Sequence, residues 1–227
     1  MGTDDLFKKR KAKTARDQAR RKASRAPYEK VLIVCEGEKT EPNYFNELID
    51  FYEINTANVK VDGSCGSDPL SVVDYAIAQY KQELATGEPY NRVYCVIDRD
   101  AHPNFTAALQ KLDNQKPVDV FHAAVSVPCF EYWLLLHFNY TTAAFMSAGN
   151  KSAGDGVVDE LKKYWSDYGK GNYGAFSYLL GQLDFAKANA ARGLANALQT
   201  GSNNPSTCVH ELVAYLQNIK ADKVQAK

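Results

Sequence analysis

The sequence predicts an α/β fold, a compact and largely parallel sheet flanked by helices, with a C-terminal helical half. Two observations carry this. Between Val31 and Val125, strand-length apolar runs alternate with amphipathic stretches four times in about a hundred residues. Beyond Pro128 the apolar spacing becomes helical. A third observation concerns chemistry: two of the apolar runs stop abruptly on carboxylates, and in an open parallel sheet the carboxyl ends of the strands share the edge where ligands bind.

Val31 to Cys35 reads as the first strand, and Thr40-Glu41-Pro42 opens a helix with Tyr44, Phe45, Leu48, Ile49 and Tyr52 at helical spacing. Val59 to Val61 is a short second strand. Ser67-Asp68-Pro69 caps a helix whose apolar face is Val72, Val73, Ala76, Ile77 and Tyr80 and which should stop by Gly87. Val93 to Ile97 is the third strand, Phe105 to Leu112 a helix, and Val118 to Val125 the fourth strand. Four helices follow: Phe130 to Phe138, Gly156 to Trp165, Phe176 to Leu198, and a last one opened by Asn204-Pro205-Ser206-Thr207. Ser166 to Gly174, which contains Lys170, reads as a loop. The organisation is thus a basic arm over 1–27, an α/β core over 28–127 and a helical part over 128–227.

At 227 residues, 45% apolar and 11% aromatic, the chain can bury a substantial core. No apolar run approaches the roughly 18 residues that span a bilayer, and the N-terminus lacks the apolar segment of a signal peptide, so a soluble cytoplasmic protein is expected. Five cysteines, none in a Cys-x-x-Cys pair, indicate neither a disulfide framework nor a thiolate zinc site. The net charge of zero is unevenly spread: from Lys8 to Arg25 there are ten Lys or Arg residues against the single acid Asp17. Lys8, Lys9, Arg10, Lys11, Arg20, Arg21 and Lys22 are therefore candidate phosphate contacts. The alternative is a solvated helix or a tail with no specific partner.

Glu36 directly follows the first strand, and Asp98-Arg99-Asp100 follows the third. Magnesium and manganese prefer carboxylate oxygens, and a D-x-D pair supplies two on one turn. Asp98 and Asp100 are the candidate ligands. Glu36 could complete the site or act as general acid or base on an oxygen of a phosphodiester. Further candidates carry competing structural readings. Glu38 and Glu41 suit the first turn of a helix through its dipole. Lys39 stands in a Gly-Glu-Lys-Thr fragment that lacks the spacing of a phosphate-binding loop. His102 could hold phosphate or shuttle a proton, or simply cap a loop. Glu131 sits inside the apolar segment Val127 to Phe138, where a carboxylate is costly without a partner or metal unless it lies exposed at a helix start. Tyr132 and Trp133 read as core.

Four motifs, E-G-E-K-T-E-P-N-Y-F (Glu36 to Phe45), V-I-D-R-D-A-H (Val96 to His102), P-C-F-E-Y-W-L-L-L-H-F (Pro128 to Phe138) and N-P-S-T-C-V-H-E-L-V (Asn204 to Val213), together resemble the RloB-like family. That family is found with restriction-modification and abortive-infection loci and is similar to the Toprim fold. The Toprim pattern, a glutamate after the first strand and a later D-x-D, falls on Glu36, Asp98 and Asp100. Glu131 matches a family motif only. The resemblance implies a Mg2+- or Mn2+-dependent endonuclease of anti-phage defence, acting on RNA, transfer RNA included, in preference to DNA, and working with a partner ATPase. A homodimer is compatible with it. Two other readings stay open: a non-catalytic nucleic-acid- or protein-binding module of a defence complex, and a metal-dependent phosphatase or nucleotidyl enzyme acting on small molecules.

Overall fold

In the computed structural model the described residues are 28–99 and 102–221. The first strand, β1 (Val31–Cys35), is apolar throughout because both its faces are covered. Val31, Ile33 and Cys35 enter one hydrophobic core, Leu32 and Val34 the other, and all five are fully buried. β2 (Val59–Asp62) and β3 (Arg92–Asp98) pair with β1 on either side, and β4 (Phe121–Val127) lies beyond β3, all in parallel. β5 (Ser206–Thr207) adds an antiparallel edge, giving the order β2-β1-β3-β4-β5. The α/β architecture is as the alternation predicts.

Helix α1 (Thr40–Phe51) lays Tyr44, Phe45, Leu48 and Ile49 into the core that contains Ile33. The opposite face is covered by α2 (Pro69–Ala85) and α3 (Phe105–Asp113) through Val72, Val73, Ala76, Ala108 and Leu112. Asp68 starts α2, its carboxylate accepting the Ser71 N–H at 3.1 Å, and the helix ends just before Gly87, whose φ of 80° only glycine adopts freely. α4 (Glu131–Leu135) is buried on every side, with Tyr132, Trp133, Leu134 and Leu135 at 0% exposure, so it has no amphipathic stripe. Tyr44 makes edge-on contacts with Phe130, Trp133 and Phe176, tying α1 to the chain beyond β4. The remaining helices are α5 (Ala153–Lys162), α6 (Ala175–Leu179), α7 (Leu183–Thr200) and α8 (Val209–Asn218).

Three predicted elements are corrected. The fourth strand begins at Phe121, three residues later than predicted, because Val118 to Val120 turn back through a bond from the Val120 N–H to the Pro117 carbonyl and leave Val118 exposed. The long helix predicted over Phe176 to Leu198 is broken by a 3₁₀ turn at Leu180–Gln182 around Gly181. Ser206 and Thr207 form a strand and do not open the last helix. Thr207 Oγ1 and Ser126 Oγ share a buried 2.9 Å hydrogen bond, and the Cys208 N–H donates to the Val125 carbonyl, so these residues satisfy the edge of β4 before α8 can begin. All five cysteines are free, and Cys35, Cys95 and Cys129 are buried. Among the described residues no helix is long and apolar enough to cross a membrane.

Candidate functional site

The register of β1 and β3 places the ends of these strands together. Cys35 lies beside Val96, and the Glu36 N–H continues the ladder to the Val96 carbonyl at 3.1 Å. Glu36 then turns its side chain across the next rung: Oε2 accepts the Asp98 backbone N–H at 3.0 Å, while Oε1 stands 3.7 Å from His102 Nε2. Glu36 is 7% exposed, buried for a carboxylate.

Asp98 ends β3. Its Oδ1 is buried and has no hydrogen-bond partner among the described residues. Burial, then the charges of Glu41, Glu131 and Glu36, push its carboxyl well above the ordinary aspartate range, and a backbone hydrogen bond at Phe130 opposes them. Glu41, in the first turn of α1, is also buried, and its carboxyl is raised to about 7, chiefly by burial, with Glu131 adding to the effect. The charges of Glu41, Glu131 and Glu36 thus all bear on Asp98 at the carboxyl edge of the sheet.

Glu131 is the member with partners. The Tyr168 hydroxyl donates to its Oε1 at 3.1 Å, and Lys170 Nζ lies 3.3 Å away. Burial works to lower the Lys170 ammonium, and the Glu131 charge outweighs it, so the lysine stays protonated more firmly than usual. The loop that delivers both residues is pinned to the start of α1. The Gly171 N–H donates to Thr40 Oγ1 and the Asn43 side chain donates to the Gly171 carbonyl, each at 2.9 Å. At Gly171 φ is 77°, and a Cβ there would come within 2.9 Å of Lys39 Cβ, so glycine permits both the turn and the close approach.

Gly37 has a different role. A Cβ at this position would lie 2.1 Å from Glu41 Oε2, inside any contact distance, so the missing side chain makes room for the Glu41 carboxylate. Gly37→Ala is expected to expel that carboxylate towards water and return its titration from about 7 to the ordinary glutamate range. Carbon-detected NMR titration of the Glu41 carboxyl reads this, and an unchanged midpoint would show that Gly37 does not shape the site.

Of the residues singled out in the sequence, Glu36, Asp98, Glu131 and His102 gather here. Glu131 is buried, which settles its competing reading as an exposed helix start. Glu38 and Lys39 are exposed beside the site. Asp100 and the arm residues Lys8, Lys9, Arg10, Lys11, Arg20, Arg21 and Lys22 lie outside the described residues. Among the described residues, no three histidine, cysteine or carboxylate side chains are set close enough to hold a metal ion. Two functional candidates, Tyr168 and Lys170, escape the sequence reading because their glycine- and tyrosine-rich loop carries no site motif, and Glu41 reads foremost as a helix-dipole acid. The available signal was that Glu41 is followed at once by Pro-Asn-Tyr-Phe, a first turn that is buried as a whole.

The RloB-like protein family model matches residues 31–216, from the first residue of β1 into α8. The chain belongs to the RloB-like family. The matched span includes every strand, all four clustered carboxylates, and the loop bearing Tyr168 and Lys170, so the whole site lies within what makes the chain RloB-like. Searches among curated proteins and among solved structures find no significant match.

Proposed function

We propose that this RloB-like protein is a divalent-metal-dependent endonuclease of the Toprim type, an effector of anti-phage defence that cleaves RNA, transfer RNA included. The observation that carries this reading is the convergence of Glu36, Glu41, Asp98 and Glu131 at the carboxyl ends of β1 and β3. So many buried acids of one sign are unfavourable unless a cation joins them. The donor set fits Mg2+ or Mn2+, since every candidate ligand is a carboxylate and Asp98 Oδ1 lacks a partner among the described residues. Such an ion, when bound, supplies Lewis-acid polarisation of the phosphodiester and a water of lowered pKa.

In this reading Asp98 and Asp100 hold the ion. Glu36, whose Oε2 accepts the Asp98 N–H, serves as a further ligand or as the general base. His102, 3.7 Å from Glu36, is placed to pass on a proton. Lys170, anchored by Glu131, provides positive charge for a phosphate oxygen. The ten cationic residues between Lys8 and Arg25 draw nucleic acid to the site through its phosphates. The defence role rests on the family's association with restriction-modification and abortive-infection loci, and the choice of RNA and a partner ATPase rest on analogy with related Toprim defence effectors.

The test is sequencing of RNA and DNA ends in cells after induced expression of the wild type beside Asp98→Asn, with Mg2+ and Mn2+ cleavage measured on the purified pair. Discrete new RNA ends that vanish in the variant are expected. Identical profiles, with no metal-dependent cleavage by the purified wild type, would overturn the reading in favour of a binding module.

A further inference from the structure

Beside the carboxylates, aromatic rings run from buried protein out to solvent. Trp165 stacks on Tyr178 with centroids 4.5 Å apart and planes inclined by 25°. Phe138 lies against both Tyr178, at 6.4 Å, and Tyr164, at 5.9 Å with nearly parallel planes. On its inner side Trp165 packs 5.1 Å from Tyr168, whose hydroxyl donates to Glu131. Tyr164 and Tyr178 are 43% and 54% exposed, though each is the kind of side chain that proteins usually cover. Tyr132 and Trp133, by contrast, are sealed in the core.

The charges nearby have the sign that phosphates require. Lys162 and Lys163, directly before Tyr164, are exposed, as is Lys170 two residues after Tyr168. Glu160 pairs with Lys163, so part of that charge is balanced locally. Exposed aromatic rings interleaved with lysines, with Tyr178 linked through Trp165 and Tyr168 to the buried carboxylate of Glu131, match the chemistry of an unpaired nucleotide: a base to stack, a phosphate to neutralise, and a backbone to deliver. Paired bases are already stacked on their neighbours and cannot offer their faces, which excludes the interior of a duplex.

We infer that Tyr164 and Tyr178, backed by Phe138 and Trp165, form a stacking platform that holds an unpaired base of a single-stranded nucleic acid beside the carboxylate site. This deepens the nuclease reading and rests on it for the meaning of the site, but binding can be read without cleavage.

The experiment uses the full chain in EDTA with fluorescein-labelled oligouridylate, oligodeoxythymidylate and a blunt duplex of equal length, followed by anisotropy. Tyr164→Leu/Tyr178→Leu is expected to weaken single-strand binding about tenfold or more while leaving duplex binding unchanged. Tyr164→Phe/Tyr178→Phe, which keeps both rings, should bind as the wild type does. Single strands should also quench the fluorescence of Trp165, one of two tryptophans in the chain, the other being the fully buried Trp133. Tighter binding of the uridylate names RNA, and tighter binding of the thymidylate names single-stranded DNA. Unaltered single-strand affinity in the leucine variant, folded by circular dichroism, would overturn the platform, as would the absence of any single-strand binding by the wild type. Loss of binding in the leucine variant beside a wild type that never cleaves would leave the platform standing and remove the nuclease.

Discussion

Asp98→Asn protein is expected to be more stable than the wild type in metal-free buffer and to have lost cleavage. The two effects share one cause. Burial and the neighbouring Glu41, Glu131 and Glu36 make a charged Asp98 unfavourable, so a neutral amide of the same shape relieves the apo fold. A rise in Tm of a few degrees is the response to about 1 kcal/mol in a domain of this size. The same substitution removes a ligand from the proposed ion, whose polarisation of the phosphodiester is worth several kcal/mol, so cleavage should fall by about a thousandfold or more. Thermal melts in EDTA and cleavage assays in Mn2+ read the pair. A variant that is both less stable and inactive would make Asp98 a structural residue, and one that still cleaves would remove the metal mechanism.

The surrounding carboxylates should grade around that result. Glu36→Gln can keep an acceptor for the Asp98 N–H, so it should fold and match Asp98→Asn in activity. Glu131→Gln keeps an acceptor for Tyr168 but loses the charge that anchors Lys170, and a partial loss of about 10- to 100-fold follows from that indirect position. Glu38, exposed on the turn, should tolerate Gln without effect.

The parts of this molecule legible in the sequence are those where a local signal and the tertiary outcome agree. β1 reads as a strand because a run buried on both faces is apolar at every position, and Glu36 and Asp98 read as neighbours because a parallel sheet brings strand ends to one edge. Where the signal is not local, reading fails. Nothing near Ser206 tells that Thr207 will meet the hydroxyl of Ser126, eighty-one positions away, so a strand passes for a helix start. Glu41 has the ordinary form of a first-turn acid, while the space its carboxylate occupies is left at Gly37 and the charge that adds to its shift comes from Glu131 on another helix. Tyr168 and Lys170 become site residues only because Thr40 and Asn43 hold their loop on α1.

Glu41 also predicts a pH dependence, visible only as a difference between two proteins. Its carboxyl stands at about 7 in the folded chain, above the value near 4 expected when unfolded, so between those values the folded state binds the extra proton. Its contribution is therefore absent below about pH 4, destabilising as pH rises, and fully developed above pH 7, on the order of 3 kcal/mol. Wild-type stability alone will conceal this. His137 is buried and held at about 4, so its unfolded form binds the extra proton between about 4 and 6.5, and its contribution rises with pH across nearly the same interval. His122 and His210, also lowered by burial, act in the same direction as His137. Comparison with Glu41→Gln cancels the histidines. The variant should match the wild type near pH 4.5 and exceed it progressively to pH 8, by about 6 to 12 °C in Tm, in metal-free buffer. A difference that stays constant across this range would show that Glu41 is not a buried acid awaiting a cation. Addition of Mn2+ should raise wild-type Tm more at pH 8 than at pH 5, because at the lower pH the ion must displace protons from Glu41 and Asp98 before it can bind.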